Sequence, residues 1–136
     1  MAPMPFTEPG SEDRQILLDI ARQSIKHGLQ KGTPLAVDST QYSKTLQSRA
    51  ATFVTLHIGG ELRGCIGNFQ SQIPLFREVA EMAVAAASKD PRFPPLQAAE
   101  LDGLELEISV LSPLQKIDDI EMIEVGTHGI YLEKNF

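Results

Sequence analysis

The sequence predicts an α+β domain, helices packed on an antiparallel sheet, and three features carry that prediction. Apolar residues recur at helical spacing in Leu17, Ile20, Ala21 and Ile25, and again in Leu75, Val79, Met82, Ala83 and Ala86. Between these stretches, Phe53-Val54-Thr55-Leu56-His57-Ile58 alternates, meets Gly59-Gly60 and returns as Leu62-Arg63-Gly64-Cys65-Ile66, the pattern of a hairpin. Further on, Leu104, Leu106, Ile108 and Val110 alternate with Glu105, Glu107 and Ser109, as in an antiparallel strand with one wet face. With 136 residues, 42% of them apolar, the chain can build one core and not two.

Residues 1–10 hold three prolines and a glycine without periodicity and read as a mobile leader; the domain runs from Ser11 to Phe136. Ser11 is placed to cap the first helix, Glu12 and Asp13 suit the positive end of its dipole, and Gly28 reads as its stop. From Lys31 to Gln47 apolar residues are scattered, which predicts a long surface connection able to carry binding contacts. Two registers of the hairpin are open. A two-residue loop at Gly59-Gly60 pairs Val54 with Cys65 and buries Arg63 beside Leu56; a three-residue loop that includes Glu61 sets Leu62, Gly64 and Ile66 on the face of Val54, Leu56 and Ile58. The second is preferred because a buried, unpaired guanidinium is costly, and it leaves Arg63 and Cys65 on the face of Thr55 and His57.

Pro74 suits the first helical position of a helix that ends near Ser88, and the small residues Ala83 to Ala87 permit close approach to a sheet. In Lys89-Asp90-Pro91-Arg92-Phe93-Pro94-Pro95 three prolines deny regular structure and hold two opposite charges in a stiff loop, with Phe93 and its prolines read as an anchor on the core. Ser112-Pro113 ends the alternating strand, residues 117–125 give a mixed signal, and Gly126-Thr127-His128-Gly129 leads into a last strand at Ile130-Tyr131-Leu132. Lys134-Asn135-Phe136 reads as a turn opening a further hairpin, so the natural chain is expected to continue.

Charge and motifs exclude several functions. A formal charge of −6 offers no footprint for nucleic acid or an anionic membrane. There is no run of ~20 apolar residues and no secretory leader, which together with a single cysteine predicts a cytoplasmic protein. No GxGxxG, P-loop, HExxH or CxxxCxxC occurs, so no cofactor of the chain's own is predicted.

The candidate chemistry centres on Cys65, the one thiol, in a strand flanked by Gly64 and Gly67. It is either a small packing residue or a nucleophile, with Arg63 two residues away to depress its pKa or hold a substrate anion. His57 lies diagonal to Cys65, roughly 7 Å away at the backbone. His128, in a turn-like segment, is the better general base, set against the alternative of a structural histidine. Asp90 and Arg92 either grip a substrate carboxylate or phosphate or pair with each other to pin their loop. Cys65, His57 and His128 are of metal-ligating type, but their spacing matches no zinc pattern and no metal is predicted.

Four blocks of this sequence, in order, resemble one family. They are Phe53-Val54-Thr55-Leu56, Leu62-Arg63-Gly64-Cys65-Ile66-Gly67, Asp90-Pro91-Arg92-Phe93-Pro94-Pro95 and Val125-Gly126-Thr127-His128-Gly129-Ile130. Together they are similar to the AMME-region proteins, also called AmmeMemoRadiSam system protein A. The resemblance covers about Gln15 to Phe136 and implies an α+β domain with antiparallel sheet and two unequal lobes around a cleft. It also implies a C-terminal part that this chain lacks, with 11–136 as the N-terminal portion of an AMMECR-type domain. Asn68 departs from the family's usual threonine. The family has no established reaction. Its members resemble associates of a Memo-type, dioxygenase-like protein and a radical-SAM enzyme, which implies those partners, a small-molecule ligand, and a substrate-handling or partner-binding role; the alternative is an enzyme with Cys65 as nucleophile, Arg63 holding its charge and His128 moving the proton.

Overall fold

The computed structural model describes residues 8–32, 35, 42–69, 71–111 and 129–135, the last stretch as backbone. The first helix, α1 (Ser11–Lys31), buries Leu17, Ile20, Ala21 and Ile25 as its periodicity predicts, and also Leu18 and Ser24. Its ends differ from expectation. Gly10 is the N-cap, with its carbonyl accepting from the Arg14 N–H at 2.8 Å, and Ser11 is already helical. Gly28 lies inside the helix, because burial of the apolar stripe outweighs the ~1 kcal/mol that a mid-helix glycine costs. The stop is Gly32, left-handed at φ 78°, whose N–H donates to the Gly28 carbonyl.

Within the scattered stretch that follows sits a single helical turn, α2 (Lys44–Gln47), capped by the Ser43 hydroxyl, which accepts from the Leu46 N–H. Leu46 is fully buried, so part of the expected surface connection belongs to the core.

Strands β1 (Ala51–Ile58) and β2 (Glu61–Asn68) form the hairpin. Its turn resolves the two registers in an unforeseen way. Gly59 and Gly60, at φ 60° and 80°, close a two-residue loop with Ile58 opposite Glu61 and His57 opposite Leu62. A β-bulge then takes up Arg63 as an extra residue, and from Leu56–Gly64 onward the strands hold the register of the longer loop, with Val54 opposite Ile66 and Thr55 opposite Cys65. The turn is thus the short one, and the face assignment of Gly64, Cys65 and Ile66 is that of the long one.

Helix α3 (Leu75–Ser88) starts after Pro74, which serves as N-cap, and buries Leu75, Val79, Ala83 and Ala86. The alanine run does bring helix and sheet together: a Cβ added at Gly64 would overlap the Ala86 carbonyl. A 3-10 helix at Ala98–Gly103 leads into β3 (Leu104–Leu111), and β4 (Gly129–Asn135) pairs with β3 over the predicted last strand. The sheet is antiparallel with order β2-β1-β3-β4, so among the described residues β2 and β4 are its edges. One face carries Val54, Leu56, Leu104, Leu106, Ile108 and Val110 into a single apolar core shared with α1 and α3. Among the described residues this is one helical layer on one sheet; the second lobe and cleft implied by the resemblance are not part of it.

Candidate functional site

The other face of the sheet presents Phe53, Thr55 and His57 from β1, Glu105 and Glu107 from β3, and Cys65 from β2, because alternate residues of a strand point to opposite sides. Cys65 is half-buried, and its thiol lies 3.1 Å from the Thr55 hydroxyl, either group able to donate. This closeness follows from the ladder. The Cys65 N–H points away from β1, so Thr55 and Cys65 form a non-hydrogen-bonded pair, the kind whose side chains approach most closely.

That outward N–H is met by Asp90. Its Oδ2 accepts from Cys65 N at 3.0 Å, while Arg92 donates to Oδ1 from its backbone N–H and Nε and to Oδ2 from Nη2 at 2.7 Å. The Asp90 side chain is only 2% exposed. The Arg92 guanidinium first, and the Cys65 amide second, hold its carboxyl well below the ordinary carboxylate range. Arg92 lies over the Phe93 ring, 5.4 Å from its centroid. Phe93 is half-buried and lies outside the apolar core cluster, so it is not the loop's anchor. That role falls to Leu96, 3% exposed, whose N–H donates to the Ala87 carbonyl at 2.7 Å.

Arg63, freed from the ladder by the bulge, turns both Nε and Nη2 onto Glu100 at 2.9 and 3.1 Å, a bidentate pair. Arg63, and then the Gln97 N–H, lowers the Glu100 carboxyl. Sequence reasoning missed Glu100; the one signal was its position three residues after Gln97, the spacing of a capping box, which the structure contains. It also missed Glu78, 2% exposed on α3, which accepts from Asn68 Nδ2 at 2.7 Å and Ser71 Oγ at 3.2 Å and so ties the end of β2 to α3.

Of the predicted site residues, the structure gathers Arg63, Cys65, Asp90 and Arg92 along β2. His57 is opposite Leu62 and Glu105 rather than Arg63, because the bulge shifts the register between them. His128 lies outside the described residues. Among the described residues, no three His, Cys, Asp or Glu side chains converge on a point that could hold a metal.

With this geometry in place, comparison with known proteins decides the family. A model of the AMMECR1 family matches residues 18–136. The chain belongs to the AMMECR1 family. An Aeropyrum pernix protein is 37% identical over 141 residues, spanning 97% of this chain and 60% of the relative. A Methanopyrus kandleri protein is 35% identical over 132 residues, spanning 90% of this chain and 63% of its own length. The chain thus spans under two-thirds of the length of these AMMECR1 relatives. An uncharacterized protein from Pyrococcus horikoshii, known from its crystal structure, has the same fold: TM-score 0.69 at 33% identity, over 76% of this chain and 53% of that one. The α+β architecture described here is therefore that of an AMMECR1 domain.

Proposed function

We propose that this AMMECR1 domain is a substrate-handling or partner-binding protein whose working surface is the sheet face around Cys65 and Thr55. The observation that carries the reading is the fate of the charged groups that β2 and its neighbouring loop bring beside Cys65. The Arg63 guanidinium is engaged by Glu100, and the Asp90 carboxylate by Arg92 and a backbone amide. Both charges thus hold a loop against the strand, and the surface they frame is suited to docking rather than to a self-contained reaction. The partners we propose are a Memo-type, dioxygenase-like protein and a radical-SAM enzyme, in the cytoplasm, with a small molecule passed or held between them. No helix among the described residues is long and apolar enough to cross a membrane, which fits such a role. Calorimetric titration of the full-length protein with each partner tests it; binding to neither at micromolar concentration removes the proposal's main support.

One observation favours a second reading. The Thr55 hydroxyl lies 3.1 Å from the sulfur of Cys65, the chain's single thiol, within hydrogen-bond reach of a candidate nucleophile. In that reading Cys65 forms a covalent adduct with a small electrophilic substrate and His128 moves the proton. Alkylation of the single cysteine as a function of pH, followed by intact mass, separates the two: a thiol titrating well below ~8.5 favours the enzyme. A Cys65→Ala variant that keeps full function in cells removes it.

A further inference from the structure

Among the described residues β2 is an edge strand, and an edge strand offers unpaired N–H and C=O groups to any other strand that reaches it. Three features that blunt such edges converge on its middle: a bulge at Arg63, a carboxylate from Asp90 on the outward amide of Cys65, and a covering segment from residue 89 to residue 103. That segment is pinned at both ends, by Asp90 to Cys65 and by Glu100 to Arg63, and stapled between them by Leu96 to the end of α3. The large hydrophobic side chains that are exposed among the described residues are Leu62 and Phe69, at 38% and 62%; Leu62 lies at the start of this strand and Phe69 is the first residue after its end. Phe69 is further propped edge-on against Phe53, ring centroids 5.1 Å apart, so it is displayed and not folded away.

We propose that β2 carries a latent edge-to-edge interface for a second copy of this chain, and that the strap pinned by Asp90 and Glu100 keeps it shut. A second copy is the partner this strand fits. Antiparallel pairing of a strand with itself closes by a two-fold axis, and an axis at Ile66 brings Leu62 of each strand toward Phe69 of the other, because with Arg63 looped out by the bulge each lies three ladder positions from Ile66 and both face the side of His57 and Phe53. The two exposed apolar groups then cover one another. The inference concerns the strand edge and not the open face, so its failure leaves the reading of Cys65 as it stands.

The test is sedimentation equilibrium of the wild-type chain and of an Asp90→Ala, Glu100→Ala double variant across about a hundredfold range of concentration. The double variant is expected to gain mass with concentration toward twice that of one chain, relative to wild type. Adding Leu62→Lys, a charge at the edge, is expected to return it to the wild-type profile. A double variant with an unchanged circular-dichroism spectrum whose profile superimposes on wild type overturns the proposal. Amide hydrogen exchange on the unaltered chain gives an independent reading. The Cys65 amide is expected to exchange about tenfold more slowly than that of Gly67, the next to face the same edge. Equal rates mean that the strap is open in solution and overturn the proposal too; should the double variant unfold, the Glu100→Ala single variant takes its place in the sedimentation test, and a profile that superimposes on wild type overturns the proposal.

Discussion

Gly64 and Cys65 are neighbours in β2 and live in different environments. Gly64 faces the helices, where even one methyl group meets the Ala86 backbone carbonyl; Cys65 faces away, half-buried, with a hydroxyl as its nearest polar neighbour. The contrast teaches that the glycines of this motif and its cysteine answer to different demands. On the helix side packing decides the residue, and on the other side the surface is left to chemistry.

The contrast can be broken or sharpened by substitution. The largest loss is expected on the helix side. Leu56→Ala, at a fully buried position, is expected to cost about 2–5 kcal/mol in urea unfolding, through lost burial and the cavity it leaves. Gly64→Ala follows at about 1–3 kcal/mol, since the helix must move to admit the methyl group. By contrast, Cys65→Ala and Thr55→Val are each expected to change stability by less than about 1 kcal/mol while altering any alkylation or partner binding. Were Cys65→Ala to destabilise as much as Gly64→Ala, the two faces would not differ in kind.

The smallest effect concerns pH. Asp90 and Glu100 both have carboxyls lowered in the folded state, so each favours folding fully above the ordinary carboxylate range and loses that contribution as pH falls through its folded value. Stability measured by urea unfolding is therefore expected to hold from pH 7 to about 5 and to decline below about 4. Glu100→Gln is expected to flatten part of that decline and to cost only about 0.5–1 kcal/mol at pH 7, as befits a partly exposed pair. A variant as acid-sensitive as wild type would assign the decline to other carboxylates.

Much of the fold was legible in the residues. The stripes of α1 and α3, the alternation of β1 and β3, and the Gly59-Gly60 turn are local patterns, and each appears where its period places it. The site was legible in part. That Cys65 would share a face with Thr55 follows from the alternation of a strand, and the mutual pairing of Asp90 and Arg92 from a stiff, short loop. The ends of α1 were misplaced because Gly28 and Gly32 are the same residue to a local rule, and only the packing of Leu17 to Ile25 distinguishes them.

What the sequence by itself determined, then, is which residues form each element and which of their faces is apolar, because those depend on neighbours three or four positions away at most. Only the tertiary structure decided that Arg63 is bound by Glu100, thirty-seven residues distant, and that Asp90 accepts the amide of Cys65, twenty-five residues earlier. Those contacts depend on a bulge that turns one side chain out of the ladder and on a loop laid along a strand's free edge. Neither leaves a periodic trace, since each is made by single groups meeting in space after the chain has folded.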